Sequence, residues 1–289
     1  MASILTNLFD GVAYGMLLFV LACGLAVTLG LMNFVNLAHG AFAMAGGYIC
    51  AVLANNLGWP FFAALPLAFV GSAAIGVVLE RALYRHLYTR SHLDQVLFSI
   101  GLVFMSVAAV DYIMGSSRVF IKLPAALEGQ IDLFGVGIGR YRLMLVVICG
   151  LLTLALQLIL AKTRFGSRLR AAVDDPRAAI GLGINVPQVF AFTFAFGCGL
   201  AGLGGALSAE ILGLDPYFPL KFMIYFLIVV TVGGSSSITG PFLASLLLGI
   251  ADVAGKYYVP KMGPFVIYTV MIVILLWRPN GLFGRPAAR

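Results

Sequence analysis

Charge is what this sequence has least of. Only 10% of its 289 residues are Asp, Glu, Lys or Arg, and 62% are hydrophobic, against about 25% and 45–50% in soluble domains. A water-soluble globule is therefore excluded. Alternating apolar and polar residues over strand-length stretches of about ten are also missing, which excludes a membrane β-barrel. The four cysteines, Cys23, Cys50, Cys149 and Cys198, sit singly in apolar runs with no metal-ligand spacing. Packing is their expected role, and no metal site is expected. The start, MASILTNLFDG, lacks a basic stretch ahead of its apolar run, so that run reads as a retained span rather than a cleaved signal. No connector is long enough to fold alone, and no G-x-x-x-x-G-K-[ST] phosphate loop occurs. The expectation is one transmembrane domain, 1–289, with no nucleotide-binding unit of its own. The formal charge of +7 lies mainly in connectors, where membrane sorting accounts for it and nucleic-acid binding is not implied.

What is present is long apolar runs: Gly11–Met32, Ala38–Asn56, Phe61–Leu79, Val96–Gly115, Leu143–Ala161, Gln188–Leu212, Phe222–Gly233, Pro241–Tyr257 and Pro264–Trp277. These predict an all-α polytopic membrane protein of about 8–10 transmembrane helices, some of them discontinuous. Arg81, Arg85 and Arg90 fall in one connector. Lys162, Arg164, Arg168, Arg170 and Arg177 fall in another, and Arg278, Arg285 and Arg289 in the tail. With nine crossings all three share a side, which is then cytoplasmic, with the N-terminus outside and the C-terminus inside. The 116–142 connector argues against this assignment, since it places Arg118, Lys122, Arg140 and Arg142 outside.

Three stretches depart from the apolar pattern. Two are interruptions: Asn33, Asn36, His39 and Gly40 in NFVNLAHG, and Gly233, Gly234, Ser235, Ser236 and Ser237 in GGSSSITGP. Each is either a turn at the membrane surface or part of a route for solute, because polar groups at membrane depth must face protein or water. The third is the connector of about 162–187. Its sequence predicts a short helix, with Asp175 as N-cap, Pro176 in the first position, Arg177 to Gly181 following, and Gly183 as the left-handed stop. Topology alone needs no such caps, so a partner-docking element is expected. The 188–212 run has small residues at Gly197, Ala201, Gly202 and Gly205, spaced for close helix packing within the chain or against another subunit. Of the acids at spans, Glu80, Asp111 and Glu210 are expected to reach water. Asp252 is expected to pair with Lys256 four residues on.

The stretches LMNFVNLAHGAFAMAGGY (31–48), TRFGSRLRAAVDDPRAAIGLGIN (163–185), 213–253 and RPNGLFGR (278–285) together resemble the inner-membrane permeases of branched-chain amino acid ABC transporters, the LivH type in particular. The resemblance implies a bacterial inner-membrane subunit that makes and breaks no covalent bond and holds no cofactor. ATP and magnesium would belong to two cytoplasmic ATPase subunits of the LivG/LivF kind. Other implied partners are a second, LivM-like permease, a periplasmic solute-binding protein and the lipid bilayer. The resemblance also marks Arg168, Arg170, Asp174, Asp175, Pro176, Arg177, Ala178, Ala179 and Gly183 as the ATPase-coupling loop. Arg170 stands where many ABC permeases open this loop with glutamate. Related permeases carry urea or short amides. A passive channel for a neutral solute also suits glycine-rich broken segments, whereas an ion-coupled carrier would need buried coupling acids.

Overall fold

The computed structural model describes residues 2–284 apart from 33, 35, 89, 134–135 and 235–237. Each of the nine apolar runs forms a helix: α1 Ala2–Met32, α2 His39–Ala51, α3 Phe61–Ala82, α4 His92–Met114, α5 Arg140–Lys162, α8 Val186–Leu212, α9 Phe218–Gly233, α10 Thr239–Tyr258 and α11 Gly263–Trp277. Between α5 and α8 lie two further helices, α6 Arg164–Asp174 and α7 Pro176–Gly181. Five of the helices, α1, α3, α4, α5 and α8, are long and apolar enough to cross a membrane, and α9 and α11 are shorter apolar helices. The chain is an all-α, membrane-embedded protein.

The structure departs from the expected boundaries in two places. Helix α1 begins nine residues before Gly11, and the charge this brings into the helix is matched: Asp10 forms an ion pair with Arg142 of α5. The 116–142 connector holds a β-hairpin, β1 Gln130–Leu133 against β2 Val136–Gly139, antiparallel with Gln130 opposite Gly139. A backbone bridge pairs Val119 with Leu214. Two of the connector's four basic residues also have carboxylate partners, Arg142 with Asp10 and Arg118 with Asp215 at 3.8 Å.

Helices α1 and α8 form the centre. In their apolar stretches 78% and 67% of residues are buried, against 17% in α4 and 22% in α5, which present Phe104, Met105, Leu151 and Leu154 outward. Lipid is as apolar as these side chains, so helices associate in it by close packing and not by escape from water. The small residues of α8 provide that packing within the chain, against α1, α2 and α3. A Cβ on Gly205 would overlap the carbonyl oxygen of Ala43, a backbone atom of α2. Helix α5 is tied to α8 by the Tyr141 hydroxyl, which donates to the Leu207 carbonyl at 2.7 Å.

The acids divide. Asp111 is exposed and Glu210 half-buried, as expected of span ends. Glu80 differs from its expectation: it is buried and accepts a hydrogen bond from the Tyr88 hydroxyl at 3.1 Å. The reason is the tight turn of the 83–91 connector, which folds Tyr88 back over the end of α3. Asp252 is fully buried and meets Lys256 at 2.5 Å, with the ammonium 5.5 Å from the Tyr14 ring. Lys256→Met should cost about 1–2 kcal/mol. That is less than the roughly 3–5 of a fully buried pair, because half of the lysine is in solvent. Thermal unfolding in detergent checks this, and adding Asp252→Asn to the same chain should recover most of the loss.

Candidate functional site

The connector between α5 and α8 is built from three successive caps. Thr163 Oγ1 accepts from Gly166 N at 3.3 Å and opens α6. Asp175 Oδ1 accepts from Arg177 N and Ala178 N, both at 3.0 Å, and opens α7 with Pro176 in its first turn. Asn185 Oδ1 accepts from Gln188 N at 3.1 Å and opens α8. Gly183, at φ 79°, turns the chain out of α7, and its neighbour Ile184 N donates back to Ala179 O at 3.0 Å. The expected short helix, its cap and its stop are therefore all present.

The part the expectation lacks is α6, which its arginines disguise as solvated loop. Its apolar residues recur at Phe165, Leu169 and Ala172, one face of a helix. Phe165 meets Phe192 of α8 edge-on with ring centroids 5.1 Å apart. Arg170 donates to the Leu160 carbonyl at the end of α5. Ala172, Ala179 and Val186 form a small buried cluster that fastens α6, α7 and α8 together. Helix α7 is thus held in place by Ala179, which faces inward. Arg168, Asp174, Asp175, Pro176, Arg177, Ala178 and Gly183 are exposed.

Two residues missed at the sequence level complete this surface. Ile180 is 60% exposed and Leu182 80% exposed. These large aliphatic side chains, on a polar, arginine-bearing connector, are left mostly uncovered by the described residues. Their sequence mark is the placement of Ile180 and Leu182 on either side of Gly181, off the face that carries Ala179.

The first polar interruption is packed tightly. Asn36 is fully buried, and its Oδ1 accepts from Ala38 N at 3.1 Å and from the Tyr84 hydroxyl at 3.0 Å. Burial pushes the Tyr84 phenol well above its ordinary value, so it stays a donor. Burial, followed by the nearby Glu80 carboxylate, does the same for Tyr88. The Asn36 amide nitrogen is buried without a partner among the described residues. His39 is buried; its Nε2 lies 3.0 Å from Leu21 O and its ring stands edge-on to Phe226. A Cβ on Gly40 would come within 2.9 Å of Pro219 Cα, so the starts of α2 and α9 abut inside the protein. Asn33 lies outside the described residues.

The second interruption meets an unexpected neighbour. Gly233 closes α9, and Gly234 follows at φ 86°. The tail beyond α11 returns here: Leu282 N donates to Val232 O at 2.8 Å and Phe283 N to Gly233 O at 3.2 Å. Ser235, Ser236 and Ser237 lie outside the described residues. Among the described residues, no group of His, Cys, Asp and Glu is placed to hold a metal ion.

Broken helices meeting inside an apolar bundle, together with a capped helix pair between two of its spans, fit a membrane-embedded permease. The chain belongs to the family described as "Branched-chain amino acid transport system / permease component", which matches residues 7–275. It is 29% identical over 300 residues to the high-affinity branched-chain amino acid transport system permease protein LivH of Escherichia coli (strain K12), covering 98% of this chain and 96% of that relative. It is 29% identical over 298 residues to BraD of Pseudomonas aeruginosa, with the same coverage of both chains. More distantly, it is 26% identical over 290 residues to LivM of Salmonella typhimurium, covering 92% of this chain and 68% of that relative. No solved structure matches.

Proposed function

We propose that this chain is the permease subunit of an ABC importer in a bacterial inner membrane, carrying branched-chain amino acids inward on energy from ATP hydrolysed by two separate ATPase subunits. A second, LivM-like permease would complete the membrane portion, and a periplasmic binding protein would deliver the solute. The observation that carries the reading is the exposed Ile180/Leu182 tip on a helix capped and fastened at Asp175 and Ala179. Exposed apolar residues grouped among polar ones, outside the membrane spans, suit a surface that binds a partner. With the N-terminus outside, this tip lies in the cytoplasm, where an ATPase could grip it. Arg168, Arg170, Asp174, Asp175, Pro176, Arg177, Ala178, Ala179 and Gly183 would form or support that handle, with Ala179 and Arg170 anchoring and the rest in contact.

Within the membrane, Asn33, Asn36, His39, Gly40 and residues 233–237 would line or gate the route. The Asn36–Tyr84 hydrogen bond joins the start of α2 to the 83–91 connector, so a movement of that connector would be felt at the broken helix. Alternating access would follow from rocking of two permease subunits about a shared interface.

The experiment is uptake into liposomes of labelled leucine, urea and a short amide, with the chain alone and with its four partners. ATP-dependent leucine uptake by the complete assembly, and no flux through the chain alone, is the expected result. Preference for urea or amide would move the chain to that branch of the family. Rapid ATP-independent flux through the chain alone would overturn the ABC reading. Asp252→Asn should leave uptake largely intact in the complete assembly, because its carboxylate only pairs with Lys256. Loss of uptake on that change would favour an ion-coupled carrier.

A further inference from the structure

A groove of about 1050 Å³ opens between the end of α3, the 83–91 connector and the first turns of α8. Its walls inside the apolar region are Val77, Phe190, Phe192 and Ala195, and Arg81 and Arg85 stand at its rim. Both arginines are exposed and form no ion pair among the described residues. The one carboxylate lining the groove, Glu80, is buried and held by the Tyr88 hydroxyl. We propose that this groove binds an anionic phospholipid, with the phosphate between Arg81 and Arg85 and an acyl chain along Phe190 and Ala195. This inference goes beyond the transport reading and does not depend on which solute crosses.

Depth and charge together select the occupant. Ala195 lies roughly 13 Å along α8 from its start. The groove therefore runs from the polar rim well into the apolar part of the bundle, and a water-soluble ATPase has no means of filling it. An acyl chain does. A second copy of this chain could supply an apolar helix, but it would leave two guanidinium groups facing apolar surface. A lipid that joins a phosphate to a hydrocarbon tail satisfies both ends of the groove at once, as basic pockets between helices at the cytoplasmic side do.

Native mass spectrometry of the full-length chain in neutral detergent tests this, with phosphatidylglycerol and phosphatidylcholine of the same acyl chains as probes. The wild-type chain should retain phosphatidylglycerol in preference. Arg81→Gln combined with Arg85→Gln should weaken that retention about 30-fold, as expected for two basic groups at a membrane surface. Ala195→Trp, which fills the deep end and leaves both arginines, should also weaken it. Melting temperatures close to wild type would exclude misfolding as the cause. Equal retention of the two lipids, or retention unchanged in the double variant, would overturn the proposal. Displacement of the lipid by inorganic phosphate at matched concentration would do so too, by making the site one for free anions. A disulfide between copies through Phe190→Cys that excludes lipid would assign the groove to a subunit interface.

Discussion

Uptake by the assembled transporter falls to background, and solute-stimulated ATP hydrolysis falls with it, when Pro176 to Gly181 is replaced by a Gly/Ser linker of equal length. The replacement keeps the backbone N–H groups that Asp175 caps but removes the proline that presets the first turn and Ala179, the residue that holds α7 to α6 and α8. Glycine costs about 1 kcal/mol per helical residue relative to alanine and serine costs less, so a Gly/Ser stretch without Ala179 cannot hold so short a helix on the Asp175 cap alone. The membrane region should survive. Helix α6 keeps its own anchors, the Phe165–Phe192 contact and the buried Leu169, so the variant should still extract and assemble with its partner permease. Graded variants separate shape from contact. Asp175→Ala should weaken α7 by about 1 kcal/mol and reduce coupling in part. Ile180→Ser with Leu182→Ser leaves the helix caps intact and removes only the exposed apolar tip, and it should uncouple nearly as fully as the linker. Uptake and ATP turnover at wild-type levels in the linker variant would remove α7 from the coupling path.

Gly205→Val should prevent accumulation of folded protein. The added Cβ would occupy the space of the Ala43 carbonyl oxygen, a main-chain atom that no rotamer change can move. Overpacking in a filled core ordinarily costs about 1–3 kcal/mol and sometimes more. Here the helices themselves would have to part, and α8 packs on α1, α2 and α3 together. A matched control is Gly150→Ala in α5, where a Cβ meets nothing within 4 Å. It should be neutral or slightly stabilising, since alanine favours helix over glycine by about 1 kcal/mol. Size-exclusion profiles and melting temperatures in detergent check both. Equal behaviour of the two variants would mean that α2 and α8 do not approach as closely as described.

Much of this was legible in the residues, and what was not has identifiable causes. Apolar runs separated by polar connectors marked nine apolar helices to within a few residues at most ends, because lipid leaves the backbone little alternative to a helix. The Asp175–Pro176 start and the Gly183 stop were readable because caps are local, each set within a few residues of chain. Helix α6 was less so. Its apolar residues do recur with helical spacing, but the arginines between them resemble a solvated loop until Phe165 is seen against Phe192. The burial of Glu80 depends on Tyr88 returning through a tight turn, and the tail's hold on α9 joins main-chain groups some fifty residues apart. Neither contact leaves a pattern in any one stretch. In the candidate route, the positions of Asn36, His39 and Gly40 relative to Tyr84, Leu21 and Pro219 are likewise non-local. The sequence could mark them as polar breaks but could not say what they touch.

The side of the membrane on which α7 stands decides the account, and one thiol reports it. All four native cysteines are buried, so Leu182→Cys places a single exposed sulfur at the tip of the helix pair. Cells expressing this variant without its ATPase partners are treated with a membrane-impermeant maleimide, intact and after opening. Labelling that requires opening the cells is the predicted result, and full labelling of intact cells would contradict it.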